Sequence, residues 1–88
     1  MTNNHRQSPG RPCRLSEEGL LRSTAYRRDN QFGTAYGLSH DGRRLMVRWS
    51  GRLTIVPVRR EFLELQSNGE WVSFLEMMRR EIENELAT

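Results

Sequence analysis

The residues that could carry chemistry in this chain of 88 are few: one cysteine, two histidines, eleven carboxylates and fourteen arginines, with no lysine at all. Cys13 lies between Arg11 and Arg14, whose charges would lower a thiol pKa, but a thiol in a flexible segment is not a preorganised nucleophile. His5 and His40 have no carboxylate or nucleophile spaced to form a catalytic pair, and His40 belongs to a turn. No Cys/His spacing suits zinc and no glycine-rich phosphate loop occurs. The expectation is a non-enzymatic protein with no metal, no cofactor and no evident small-molecule substrate. A single cysteine excludes an intramolecular disulfide, and neither a signal-peptide core nor a run of eighteen apolar residues is present. A cytoplasmic protein without a membrane segment is the corresponding expectation.

The remaining chemistry is that of arginine. The net charge of +3 conceals a division along the chain. Residues 1–30 hold six Arg and three acids, residues 31–60 hold six Arg and one acid, and residues 61–88 hold two Arg and seven acids. The middle third is therefore strongly basic and the last third acidic. A planar guanidinium suits phosphates, carboxylates and aromatic faces, so the patch is compatible with nucleic-acid binding. The total absence of lysine resembles codon bias, which leaves the choice of Arg over Lys with little functional weight.

The elements that must position these arginines follow from the pattern. MTNNHRQSPGRPCR has no hydrophobic periodicity and reads as a flexible basic tail, residues 1–15. Ser16 can cap a short helical turn through Leu20 and Leu21, and an entry strand near 20–27 is the alternative. From Phe32, FGTAYGLS and RRLMVRW read as strands around a His40-Asp41-Gly42 turn, and RLTIVPV follows Ser50-Gly51 as a third. Placing Leu45, Val47, Trp49, Leu53 and Ile55 on one face requires an odd loop, and a three-residue loop of Trp49, Ser50 and Gly51 would set Val47 opposite Leu53 and Leu45 opposite Ile55. Pro57 should end the third strand, bulge it or lie at an edge, and REFLEL adds Phe62, Leu63 and Leu65 to the core. Ser67 to Glu70 matches a helix capping box. Trp71, Phe74, Leu75, Met78, Ile82 and Leu86 then form one apolar stripe, with Glu76–Arg80 and Arg79–Glu83 pairs on the polar side. Trp71 and Phe74 are the expected anchors of this helix.

Residues 33–65 resemble the SH3-like small β-barrels of the KOW, Tudor and chromo-barrel type, through Gly33, Gly37, Asp41, Gly42, Val47, Trp49, Gly51, Phe62 and Leu65. Short proteins of phage or prophage origin share the pattern. The resemblance covers a little over a third of the chain and speaks to fold, since such barrels bind RNA, DNA and peptides alike. No aromatic cluster makes a methyl-lysine cage. In the tail, Gly10-Arg11-Pro12 with Arg14 resembles the minor-groove arms of resolvase-type segments and, more distantly, an AT-hook, although Pro9 stands where a second Arg would be.

Together these give an α+β expectation: a strongly bent antiparallel sheet or SH3-like barrel of three to five strands over 16–66, with a C-terminal amphipathic helix over 67–88. The first functional reading is an RNA- or DNA-binding module. Arg43, Arg44, Arg48, Arg52, Arg59 and Arg60 contact phosphates, Arg11 and Arg14 add attraction, and Tyr36 or Trp49 stacks a base. The alternative is a protein-interaction or self-associating module that uses Trp71, Phe74, Met77 and Met78.

Overall fold

A computed structural model describes residues 10–22 and 32–87. Its elements in chain order are β1 (Arg11–Leu15), α1 (Glu17–Arg22), β2 (Phe32–Leu38), β3 (Arg44–Trp49), β4 (Ile55–Arg59), a 3₁₀ turn (Arg60–Phe62), β5 (Leu63–Ser67), β6 (Glu70–Ser73) and α2 (Phe74–Ala87). All six strands join one antiparallel sheet in the order β4-β3-β2-β1-β5-β6. The fold is α+β, as the patterning implies. The sheet has six strands instead of three to five and stays open, with β4 and β6 at its edges, so the closed barrel implied by the resemblance does not form.

The two additional strands come from segments that the sequence pattern assigns elsewhere. Residues 11–15, expected in the flexible tail, form the central strand β1, held between β2 and β5. Alternation explains it: Cys13 and Leu15 point into the core, whereas Pro12 and Arg14 point outward. Five residues with two apolar positions are too short to show that period in isolation. Pairing to β5 begins only at Cys13, and beyond it the Arg11 guanidinium donates to the Gln66 carbonyl at 2.9 Å. Residues 1–9 of the expected tail lie outside the described residues.

The expected capping box is likewise a strand turn. Asn68 and Gly69 both have positive φ, 53° and 83°, the geometry of a two-residue hairpin loop. They join β5 to β6 with Ser67 opposite Glu70. Trp71 therefore sits on a strand and does not anchor the helix. Helix α2 starts at Phe74, where Ser73 Oγ accepts a hydrogen bond from the Glu76 N–H at 3.1 Å. Its buried side is Phe74 and Met77, with Met78 packed beside them, whereas Leu75, Ile82 and Leu86 are exposed.

Strand β4 corrects the register. Val47 lies opposite Val56 and Leu45 opposite Val58, so the β3–β4 loop is longer than three residues and the other parity of β4 faces inward. Leu53, 92% exposed, and Ile55 are outside the core that they were expected to line. Pro57 does fall on an edge strand. Of the two alternatives after Ser16, a short helix forms as α1 over Glu17–Arg22, where Ser16 Oγ accepts from the Gly19 N–H at 3.0 Å, and the remainder of the alternative strand, residues 23–27, lies outside the described residues. A Cβ at Gly19 would stand 2.3 Å from the Phe62 carbonyl oxygen, so glycine lets α1 lie on the 3₁₀ turn.

The core consists of the inner face of the sheet closed by the two helices. Trp49, Leu63, Leu65, Val47 and Cys13 are its largest fully buried side chains. Burial pushes the Cys13 thiol up to about 12. A neutral, enclosed thiol can react only when β1 detaches. In native buffer Cys13 should therefore be labelled by an aromatic disulfide reagent at least about a hundredfold more slowly than in denaturant. Equal rates would mean that β1 is not held in the sheet. Glu76 is held at about 2 by its bonds to Arg79 and Arg80, against 4.5 ordinarily. A depressed carboxyl stabilises the fold above its ordinary value and loses that effect as pH falls towards 2. Glu76→Gln should thus lower Tm at pH 7, and the deficit should close between about pH 5 and pH 2, as followed by circular dichroism.

Candidate functional site

The strand registers give the sheet a second face, opposite the core. Arg14, Phe32, Thr34, Met46, Arg48, Glu64, Gln66 and Trp71 have the outward parity across the five strands from β3 to β6. At the β6 side, the Arg14 guanidinium lies 4.6 Å from the centroid of the Trp71 ring while its Nε donates to Glu64 at 2.8 Å. Phe32, 53% exposed, is tilted at 50° against Trp71 with centroids 6.1 Å apart. These contacts pin Arg14 and Trp71 and leave Phe32 presented to solvent.

Tyr36 continues the aromatic row towards β3. The β2–β3 register shifts between Ala35 and Gly37, and such a bulge re-aims the side chain within it. The Tyr36 hydroxyl accepts from Nε and Nη2 of Arg48, each at 3.4 Å. The ring also lies close to Gly10, where a Cβ would stand 2.9 Å from Tyr36 Cε1 and 2.1 Å from Thr34 Cγ2. Glycine at position 10 is thus what allows Tyr36 to reach over β1.

The six expected hairpin arginines divide between several places. Arg44, Arg48 and Arg59 belong to the outward parity of β3 and β4, with Arg44 directly opposite Arg59. Arg52 is exposed in the β3–β4 loop. Arg60 turns the other way, over the Phe74 ring at 4.9 Å, and donates to the Gly42 carbonyl at 3.1 Å, so its role is to tie β4 to α2. Arg43 lines a cleft with Arg44, Arg59 and Arg60 at the turn end of β3. Arg11 is not a free arm residue either, since it is paired with Glu81 of α2.

The expected stacking residues divide as well. Trp49 is 2% exposed and packs against Gly33, where a Cβ would stand 3.1 Å from the indole, so it is core and not a stacking surface. Tyr36 is on the open face. Phe32 and Trp71 complete that face and were not among the expected stacking residues. The signal for Trp71 was the Asn68-Gly69 pair, which turns the segment into a strand; that for Phe32 was its place at the start of β2. The alternative partner surface is dispersed, with Phe74 and Met77 buried and Trp71 on the other face of the sheet.

Electrostatically, four acids of β6 and α2 pair with arginines outside the β3–β4 hairpin. Glu76 and Glu83 pair with Arg79, Glu76 and Glu70 with Arg80, and Glu81 with Arg11. Among the described residues Arg48 and Arg52 make no ion pair, and Arg44 and Arg59 have only Asp41 at 3.9 Å and Glu61 at 3.6 Å. No group of three or more His, Cys, Asp or Glu able to hold a metal ion occurs among the described residues, and no helix there is long and apolar enough to cross a membrane.

The contacts separate structural from available arginines. Arg14→Ala loses a cation–π contact and an ion pair and should cost about 1 kcal/mol in chemical denaturation, with a shift in Trp71 emission. Arg48→Ala, which among the described residues removes only a bond to the Tyr36 hydroxyl, should cost less than about 0.5 kcal/mol. Comparison with protein-family models, with characterised proteins and with solved structures finds no match to this chain.

Proposed function

We propose that the outer face of the sheet binds a single strand of RNA or DNA, with Phe32 and Tyr36 as base-stacking surfaces and Arg48, Arg44, Arg59 and Arg52 as phosphate contacts. The observation that carries this reading is the row of exposed aromatic rings interleaved with arginines that the helix acids do not neutralise. Stacking on an aromatic side chain contributes about 1–3 kcal/mol per base and requires a base with a free face, which an intact duplex does not offer. Arg14 and Trp71 flank the platform: the guanidinium lies over the indole, and the indole packs against Phe32.

A second reading rests on α2, whose Leu75, Ile82 and Leu86 recur along one exposed side. That side could seat a second copy of the helix. Sedimentation as a monomer at both low and high salt would remove this reading.

A fluorescent single-stranded oligonucleotide of about ten nucleotides tests the first. Binding should weaken with salt at a log–log slope of about −3, as four phosphate contacts on a single strand give. Phe32→Ala and Tyr36→Ala should each weaken it about tenfold while Tm changes less than for a core substitution, since neither ring belongs to the buried core. No binding at low salt, or a flat salt response, would refute the proposal.

A further inference from the structure

The open end of the β3–β4 hairpin, beside the β2–β3 turn, carries a charge conflict that the described residues do not resolve. Arg44 and Arg59 stand directly opposite each other in the ladder, and like charges at facing positions destabilise a sheet. Together with Arg43, Arg60, Asp41 and Glu61 they line a cleft of about 290 Å³. The two carboxylates do little to relieve the four guanidiniums. Asp41 is committed to the turn: its Oδ1 accepts from the Ser39 hydroxyl at 2.6 Å and from the Arg43 N–H at 3.0 Å. These bonds, the Ser39 hydroxyl first, hold its carboxyl below the usual range, and Arg44 reaches the other oxygen only at 3.9 Å. Glu61 stands 3.6 Å from Arg59, whose guanidinium also leans on the Phe62 ring at 5.6 Å. Arg43 has no ion pair among the described residues.

We propose that this cleft binds a phosphomonoester, clamped between Arg44 and Arg59, and that in the protein's ligand this group is the terminal phosphate of the bound strand. The second half of the statement rests on the sheet face being a nucleic-acid surface. Four guanidiniums and two carboxylates leave two positive charges, which match a phosphate carrying close to two negative charges at neutral pH. An internal phosphodiester carries only one. Position agrees with charge, because Arg44 and Arg59 belong to the outward parity of β3 and β4 and the cleft closes the row at the sheet's edge. A strand laid over Phe32 and Tyr36 would run out there. Arg60, tied to the Gly42 carbonyl and the Phe74 ring, supplies a fixed wall, while Arg43 is free to close over the ligand.

Two arms test the two halves separately. In the first, inorganic phosphate is titrated against the full chain at constant ionic strength, with Tm and the arginine Nε–Hε resonances as readouts. Saturable shifts of Arg44 and Arg59 and a rise in Tm relative to chloride are expected. The double variant Arg44→Gln/Arg59→Gln should lose both responses and, in chloride, be at least as stable as the parent, because the facing charges are gone. No saturable shift, or an unchanged phosphate response in the double variant, overturns the site. In the second, one oligonucleotide is compared with a 5′-phosphate, a 3′-phosphate and both ends as hydroxyls. One phosphorylated end should bind about tenfold more tightly than the hydroxyl form, a preference of the size of one charge-assisted hydrogen bond and absent in the double variant. Equal binding of all three overturns the terminal-phosphate assignment and leaves the stacking face standing. Saturation by inorganic phosphate without binding of any oligonucleotide refutes the strand as its source and, with it, the stacking face.

Discussion

The fold depends on five residues, Arg11–Leu15, lying in the middle of the sheet. Without β1 the chain separates into two small pieces, a three-stranded meander and a hairpin with its helix, and no ladder connects β2 to β5. Cys13 and Leu15 fill the inner face at the join, and both are among the most buried side chains of the molecule. The same strand sends Arg11 inward to Gln66 and Glu81 and Arg14 outward to Glu64 and Trp71. One short segment thereby fixes the helix on one side and the aromatic platform on the other. A domain this size buries only about 60–65% of its unfolded surface, so the loss of a central strand cannot be offset elsewhere.

Arginine serves two purposes here, distinguished by what each guanidinium touches. Arg11, Arg14, Arg60 and Arg80 are each held by two or more partners and act as struts. Among the described residues Arg48 meets a tyrosine hydroxyl, Arg44 has a carboxylate at 3.9 Å, and Arg59 has one at 3.6 Å besides the Phe62 ring. The acidic C-terminal segment, which on charge alone could have cancelled the basic hairpin, instead directs Glu70, Glu76, Glu81 and Glu83 to Arg79, Arg80 and Arg11, while Glu61 reaches a hairpin arginine, Arg59, at 3.6 Å. Exposed charges further apart than about 8–10 Å are largely screened at physiological salt, so net segment charges decide little. The local pairing leaves the outer face basic.

Much of the middle of the chain was legible from its sequence. The strands β2 and β3, the His40-Asp41-Gly42 turn, the Ser16 cap of α1 and the edge position of Pro57 follow from local rules. The errors have a common cause: each came from a signal too short or too ambiguous to fix tertiary neighbours. Two apolar residues in β1 cannot display a period. Ser67-Asn68-Gly69-Glu70 satisfies both a capping box and a hairpin turn, and the presence of Asn-Gly, which accepts positive φ at both positions, should have decided for the turn. Apolar parity sets the β4 register wrongly, since Leu53 and Ile55 face out, whereas for Trp49 the pattern favours core over stacking and its burial against Gly33 agrees. The site inherited these errors: Phe32 and Trp71 share a face only because β1 and β6 exist.

The open sheet leaves two edges, and their construction argues for binding on the face. Strand β4 carries Pro57, which cannot donate to a new neighbour, and the charged Arg59, both features that discourage a further strand. Strand β6 has four residues and runs directly into α2, which caps its length. An extended peptide would therefore find little backbone to pair with at either edge. What the fold exposes instead is side chains at outward parity over several strands: rings on β2, and guanidiniums on β3 and β4. An array of that kind offers side chains rather than backbone to a ligand, and on the proposed reading that suits unpaired bases and phosphates better than another polypeptide backbone.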